Sequence, residues 1–271
     1  MAFSLLFGIV LLLCGGMGLP MGMPPGPEDP MMSKLAPEEC LMYASWSGVA
    51  KVDPDANPTE KWMSQPKVSK LILKLRKAYL GYLDKQSEQS NDKVFKQVYK
   101  IFSHVVDAGS VNPAAVYLND IEIKAKSLKA DGAVVVKLGD HNDEVIKLND
   151  DLHKIFGEMK PRELEFRSFQ PFDFDGQKAI KIFSGFDEIP IFASVHQGYF
   201  VIAIGEESMG KVIANMKTPQ PKWLTELRER NKIKRVASVG YLDGKLLDRM
   251  RESSRFHPIG FHRFGLPKQG Y

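Results

Sequence analysis

The chain has 271 residues, 37 Lys plus Arg against 33 Asp plus Glu, 44% hydrophobic residues and two cysteines. That composition supports one or two ordinary globular cores and excludes a collagen, a coiled coil, wholesale disorder and a disulfide scaffold. No spacing of catalytic or ligand residues stands above chance, so the sequence speaks first about location and organisation.

Residues Leu5 to Leu13 form an uncharged apolar run of nine residues, followed by small residues from Cys14 to Gly18. A helix needs about 20 residues to cross a bilayer, whereas a run of this length fits the centre of a secretory signal. Residues 1–18 are therefore expected to be a signal peptide and the protein to be extracytoplasmic, secreted or periplasmic. No Lys or Arg precedes the run. Cys14 would suit a lipid anchor, but the residue before it is Leu13 instead of Gly, Ala or Ser. Residues 19–34 are rich in Pro, Gly and Met without periodicity and read as a linker. Cys40, flanked by Leu41, Met42 and Tyr43, reads as a small core residue.

An α+β domain is expected over 35–234. The first strand is predicted over Glu39–Trp46, then an Asp/Asn/Pro loop, a helix capped by Thr59, and a longer helix after Pro66. In that helix Val68, Leu71, Ile72, Leu75, Tyr79, Tyr82 and Leu83 recur at helical spacing as a core-facing stripe, with Lys67, Lys70, Lys74, Arg76 and Lys77 elsewhere. The helix after Ser90-Asn91-Asp92 shows Val94, Phe95, Val98, Ile101, Phe102, Val105 and Val106 on one face. Strands are expected at Ala114–Leu118 and Ala133–Leu138, then a helix over Asn142–Phe156. Further strands are expected at Glu163–Phe169, Lys178–Phe183, Ile191–Val195 and Tyr199–Ile204, the last two joined by a tight turn at His196-Gln197-Gly198. Helices at Ser208–Met216 and Trp223–Arg230, a strand at Val236–Leu242 and a helix from Lys245 complete the pattern. Hairpins without intervening helices point to an antiparallel or mixed sheet with helices packed mainly on one face.

Ala237–Gly244 echoes Leu41–Gly48 in residue type, so 235–254 is expected to open a second repeat unit. Residues 255–271 hold two prolines and three glycines without apolar period and read as an irregular tail, as if a longer unit had been cut short. The stretch Ala36–Gly48, the helix pair after it, the Ala133–Asp140 strand leading into a helix, and the Tyr199–Gly205 strand before Ser208 together resemble a family of uncharacterised exported bacterial proteins. That family is of the planctomycete type and is described only as a domain of unknown function. The resemblance covers roughly Leu35–Met250 and implies a signal-bearing extracytoplasmic protein; it carries over no catalytic residue.

Four look-alike motifs are declined on their chemistry. Gly205-Glu206-Glu207-Ser208-Met209-Gly210-Lys211 has the spacing of a phosphate-binding loop, yet Val212 stands where a magnesium-binding hydroxyl belongs and two glutamates would face the phosphates. The loop from Asp53 resembles a calcium loop but has Pro58 and Ser64 where glycine and a bidentate acid are needed; Asx-turns before a helix are the better account. Phe172–Gly176 reads as an Asp-Gly hairpin turn. The six histidines, His104, His141, His153, His196, His257 and His262, form no pair at helical spacing, so no zinc site is expected, and His104 reads as a packing residue. A Gly-x-Ser-x-Gly nucleophile elbow is absent.

From Lys217 onward 13 basic residues face 5 acidic ones, leaving this part at +8 in a chain of +4 overall. Acids interleave with the bases, so a solvated face with weak attraction to an anionic surface is expected, with neither nucleic acid nor nucleotide as partner. The expected function is a non-catalytic structural or partner-binding domain of the periplasm or cell envelope, with an unidentified protein or envelope partner. The alternative is an extracytoplasmic hydrolase whose site residues come from distant segments. No catalytic, cofactor-binding or metal-ligating residue is singled out.

Overall fold

A computed structural model describes residues 29–56, 58–123, 128–165, 167–183, 190–205, 207–231 and 238–245. The expected signal peptide, most of the linker, and the tail over 255–271 lie outside them. Eight strands form one antiparallel sheet: β1 (Met42–Trp46), β2 (Ala114–Ile123), β3 (Leu128–Lys137), β4 (Phe169–Phe174), β5 (Gln177–Phe183), β6 (Pro190–His196), β7 (Tyr199–Ile204) and β8 (Ser238–Leu242). Their order across the sheet is β4-β5-β6-β7-β3-β2-β1-β8. The α+β class is as expected from the hairpin pattern.

Alternation along the strands divides the core between the two faces of the sheet. Val134 and Val136 on β3 face one side with Ile180, Ile182, Phe200 and Ile202. That side is covered by the three long helices, α3 (Pro66–Gln89), α4 (Lys93–Gly109) and α5 (Asn142–Gly157). Ala133, Val135, Val201 and Ala203 face the other side, under the short helices α1 (Pro30–Lys34), α7 (Ser208–Lys217) and α8 (Lys222–Asn231). Period-2 strands and period-3.6 helices thus bury their apolar sets against each other, each large side chain contributing about 1.5–3 kcal/mol. Two shorter helices, α2 (Pro58–Met63) and α6 (Pro161–Glu165), connect the layers.

Local chemistry accounts for most element ends. Asp92 caps α4 by accepting from the N–H groups of Val94 (2.8 Å) and Phe95 (3.2 Å). The Asp175-Gly176 and Gln197-Gly198 turns both carry positive φ at their two central residues, 50° and 78° in one, 49° and 83° in the other. That is the geometry whose twist matches antiparallel strands.

Four expectations change. The linker does not extend to 34: residues 30–34 form α1, with Met32 and Ser33 buried. The segment read as a strand over Glu163–Phe169 begins as α6, because Pro161 presets the first helical turn and Glu163 favours its positive end. The strand read as opening a second unit joins the same sheet, where β8 pairs with β1 in the register Met42↔Leu242 and Ala44↔Gly240. The two segments that echo each other in sequence therefore lie side by side at one edge. Finally, the apolar residues of α3 do not all reach the core. Val68 and Leu83 are buried, but Leu71, Leu75 and Tyr82 are 54%, 55% and 57% exposed.

Candidate functional site

The densest group of chemically capable side chains lies where α3, α4 and the start of α5 meet. His104 on α4 and His141, in the single turn of tighter helix at Gly139–His141, bring their Nδ1 atoms to 3.2 Å. Asp107, three residues beyond His104 and so on the same helix face, stands 3.1 Å from His141 Nε2 and binds Arg76 of α3 at 2.5 Å. Glu144 of α5 stands 3.4 Å from His104 Nε2. Arg76, Asp107, His141, His104 and Glu144 thus form one polar chain across three helices, about three-quarters buried except at Glu144. The two Nδ1 atoms face each other at hydrogen-bond distance, one donating and the other accepting according to the tautomer. The chain ties α3 to α4 and to the turn before α5. The hydroxyl that reaches it, Ser110 Oγ, donates to the Asp107 backbone carbonyl at 2.6 Å.

A second polar node lies at the start of α7, beside a bulge in β2 between Leu118 and Asp120. Asp131 accepts from Ser208 Oγ (2.5 Å), Lys211 Nζ (2.6 Å) and Asn119 Nδ2 (3.3 Å). Burial works to raise the Asp131 carboxyl, but the hydrogen bonds from Lys211, Ser208 and Asn119 outweigh it and hold the group below the ordinary carboxylate value. The lysine of the phosphate-loop look-alike is therefore spent on Asp131 and, at 3.5 Å, on Glu207. Ser208 is 1% exposed and also donates to the Ile204 carbonyl, which makes it a tether for the start of α7. Nearby, Tyr117 Oη and Asn119 Oδ1 are buried without a partner among the described residues. Burial pushes the Tyr117 phenol pKa up, with Asp131 adding to it.

In the calcium-loop look-alike the Asp53 N–H donates to Glu60 Oε2 at 2.8 Å and the Asp55 N–H donates to Asp53 Oδ1 at 3.1 Å, an Asx-turn folded onto the buried Glu60. Cys40 is buried in the second core, its thiol pushed up to about 11 by burial and then by Asp243. His153 packs edge-on to Phe156 at 5.9 Å, and His196 Nδ1 bonds the side-chain amide of Gln177. His257 and His262 lie outside the described residues. Among the described residues no group of three or more His, Cys, Asp or Glu is placed to hold a metal ion.

No family model, curated protein or solved structure matches the chain. The site is therefore read from its own geometry. Sequence reasoning missed the His104–His141 pair because the two lie 37 residues apart and meet only when α5 folds back on α4. The one local signal was Asp107 placed one helical turn after His104.

The remaining unusual surface is the outer side of α3. Leu71, Leu75, Ala78 and Tyr82 lie in one row and are all exposed, Val68 and Leu83 next to the row are in the core, Arg76 is on Asp107, and Leu73 on the far side of the helix is 52% exposed. Lys67 and Lys74 border this row on one side.

Proposed function

We propose that this protein is a non-catalytic, exported component of the periplasm or cell envelope that works by binding another protein through the outer face of α3. The observation that carries the reading is the exposed row Leu71, Leu75, Ala78 and Tyr82. Single exposed apolar residues are ordinary on any protein. Four aligned over three helical turns make a contiguous patch of the kind that marks helix-recognition surfaces. Export rests on the apolar run Leu5–Leu13 and on the resemblance to signal-bearing proteins. Among the described residues no helix is long and apolar enough to cross a membrane. Weak attraction of the basic part after Lys217 to an anionic envelope surface fits the same location.

The hydrolase alternative has Asp107–His141 as its nearest feature. There the imidazole meets a second imidazole where a hydrolase would place its nucleophile, which favours the binding reading.

The test is a photoactivatable side chain placed at position 75 of the full chain in an exporting host. Irradiation is expected to give a covalent adduct with a protein, and the same probe at Lys154, on the exposed side of α5, to give none. Equal labelling at both positions, or no adduct at 75, overturns the binding reading. Amino-terminal sequencing of the recovered protein should start between Met17 and Met23; intact Met1 on soluble cytoplasmic protein would end the export argument.

A further inference from the structure

His104 and His141 turn their Nδ1 atoms toward each other at 3.2 Å, while His141 Nε2 stands 3.1 Å from Asp107 and His104 Nε2 stands 3.4 Å from Glu144. A neutral imidazole carries one proton. Two rings therefore hold two protons for three contacts. If either ring donates from Nδ1, its bare Nε2 faces a carboxylate; if both protons point outward, two Nδ1 lone pairs face each other. A cation that accepts both lone pairs completes all three contacts at once. We propose that the His104–His141 pair is a binding site for a divalent transition-metal ion of the zinc type, ligated by the two Nδ1 atoms with water in the remaining positions. This site is independent of the partner-binding face of α3.

The separation of the two nitrogens suits a shared ion. Zinc–imidazole bonds of about 2.0–2.1 Å across an N···N distance of 3.2 Å subtend roughly 100–105° at the metal, close to the tetrahedral angle. The ring planes cross at 53°, so the imidazoles reach the ion from separate directions without stacking. A carboxylate behind the second nitrogen is the usual companion of a metal-bound histidine, because it fixes the ring and makes the ligating nitrogen more basic. Here both rings have one. Asp107 and Glu144 against Arg76 leave the cluster with one net negative charge when the rings are neutral, which favours a cation. Nitrogen donors select zinc, copper or nickel over calcium and magnesium, which take oxygen ligands. Each ring is 26% exposed, so water can reach the ion.

The fold fixes both backbones before any ion arrives. His104 follows Ile101 and Phe102 and precedes Val105 on α4, all three buried. The turn that carries His141 hangs on buried Leu138, whose N–H donates to the Gly198 carbonyl at 2.9 Å and whose carbonyl accepts from Asn112 Nδ2 and from the His141 N–H, each at 3.2 Å. Gly139, with φ 55°, lies so close to Asn112 that a Cβ would stand 2.7 Å from its Nδ2. Two protein ligands leave more positions to water than the three of catalytic zinc sites or the four of structural ones, so the ion is exchangeable. When bound it clasps α4 to the turn before α5.

The test is a titration of the purified protein, carrying no histidine tag and stripped by a chelator, with zinc and with cobalt(II) ions. One equivalent of either is expected to bind between micromolar and near millimolar concentration, and calcium and magnesium are expected not to compete. Nitrogen NMR of the imidazoles should show the Nδ1 signals of His104 and His141 moving on zinc binding while both Nε2 atoms stay protonated, a readout that needs no substitution. His104→Gln and His141→Gln should each weaken binding at least tenfold. The double variant His257→Ala with His262→Ala, which removes the histidines of the carboxy-terminal tail, should bind zinc as the parent does. Absence of saturable binding up to near millimolar zinc, ligation through Nε2, binding indifferent to His104→Gln or to His141→Gln, or binding lost with the two tail histidines overturns the proposal.

Discussion

Asp107 holds Arg76 at 2.5 Å with one carboxylate oxygen and stands 3.1 Å from His141 with the other, so a single side chain on α4 links α3 to the turn that starts α5. Among the described residues it is the acidic group of the polar chain that touches both a guanidinium and an imidazole. Asp107→Ala leaves the guanidinium of Arg76 and the ring of His141 without their acceptor in a site about three-quarters buried. A loss of about 1–3 kcal/mol is expected in denaturant unfolding. A change under 0.5 kcal/mol would mean that solvent replaces the carboxylate and that the polar chain does not secure α3.

Asp29 binds three partners at once: the N–H of Met31 at 2.9 Å, Tyr199 Oη at 3.0 Å and Lys137 Nζ at 2.7 Å. The phenol pKa of Tyr199 is pushed up by burial and then by this carboxylate, so the hydroxyl stays a donor. Asp29→Ala removes the cap of α1 and orphans a hydroxyl held in the second core. About 1–3 kcal/mol of destabilisation is expected, together with faster amide exchange over 30–35. Unchanged exchange there would show that Met32 and Leu35 hold the segment by packing alone.

Gly198 and Gly205 both have positive φ, 83° and 101°, but for different reasons. At Gly198 an added Cβ would meet only Asn142 Oδ1 at 4.0 Å, so the requirement is conformational; at Gly205 it would stand 2.7 Å from the Ala130 carbonyl and 3.0 Å from Ser208 Oγ. Gly198→Val should therefore cost about 1 kcal/mol or more, and Gly205→Ala more than Gly198→Ala, since it adds a clash to the strain. Melting temperatures of the two alanine variants in the reverse order would show that the α7 start shifts freely.

Burial lowers the pKa of both His153 and His196, with Lys178 acting the same way on the first and Lys217 on the second. For His153 a backbone hydrogen bond with Ala179 opposes the shift without cancelling it. The folded state binds fewer protons than the unfolded chain below the ordinary imidazole value near 6.5, so stability is in place above that pH and falls as pH drops through it. Replacing both residues with Gln should flatten the acid side of the stability curve below about pH 6.5. An acid limb of undiminished slope in that double variant would assign the proton uptake elsewhere.

Local chemistry determined a great deal of this protein. The stripe on α4, its Asp92 cap, the Val134–Val136 alternation and the Gln197-Gly198 turn each act over a few residues, so they are written in the chain itself and the α+β class follows from them. The tertiary structure alone decided the rest. Asp29 orders α1 through Tyr199, 170 residues away, and Lys137, 108 away; periodicity carries no information over such distances. Leu71, Leu75 and Tyr82 share a helical face with Val68 and Leu83, and nothing in their spacing says how far α4 reaches around α3. That reach is set by the packing of α4 on the sheet, and it leaves an apolar row in solvent. His104 and His141 likewise acquire their chemistry only from the fold, because an imidazole's role is set by what its second nitrogen faces, and that neighbour arrives from another helix.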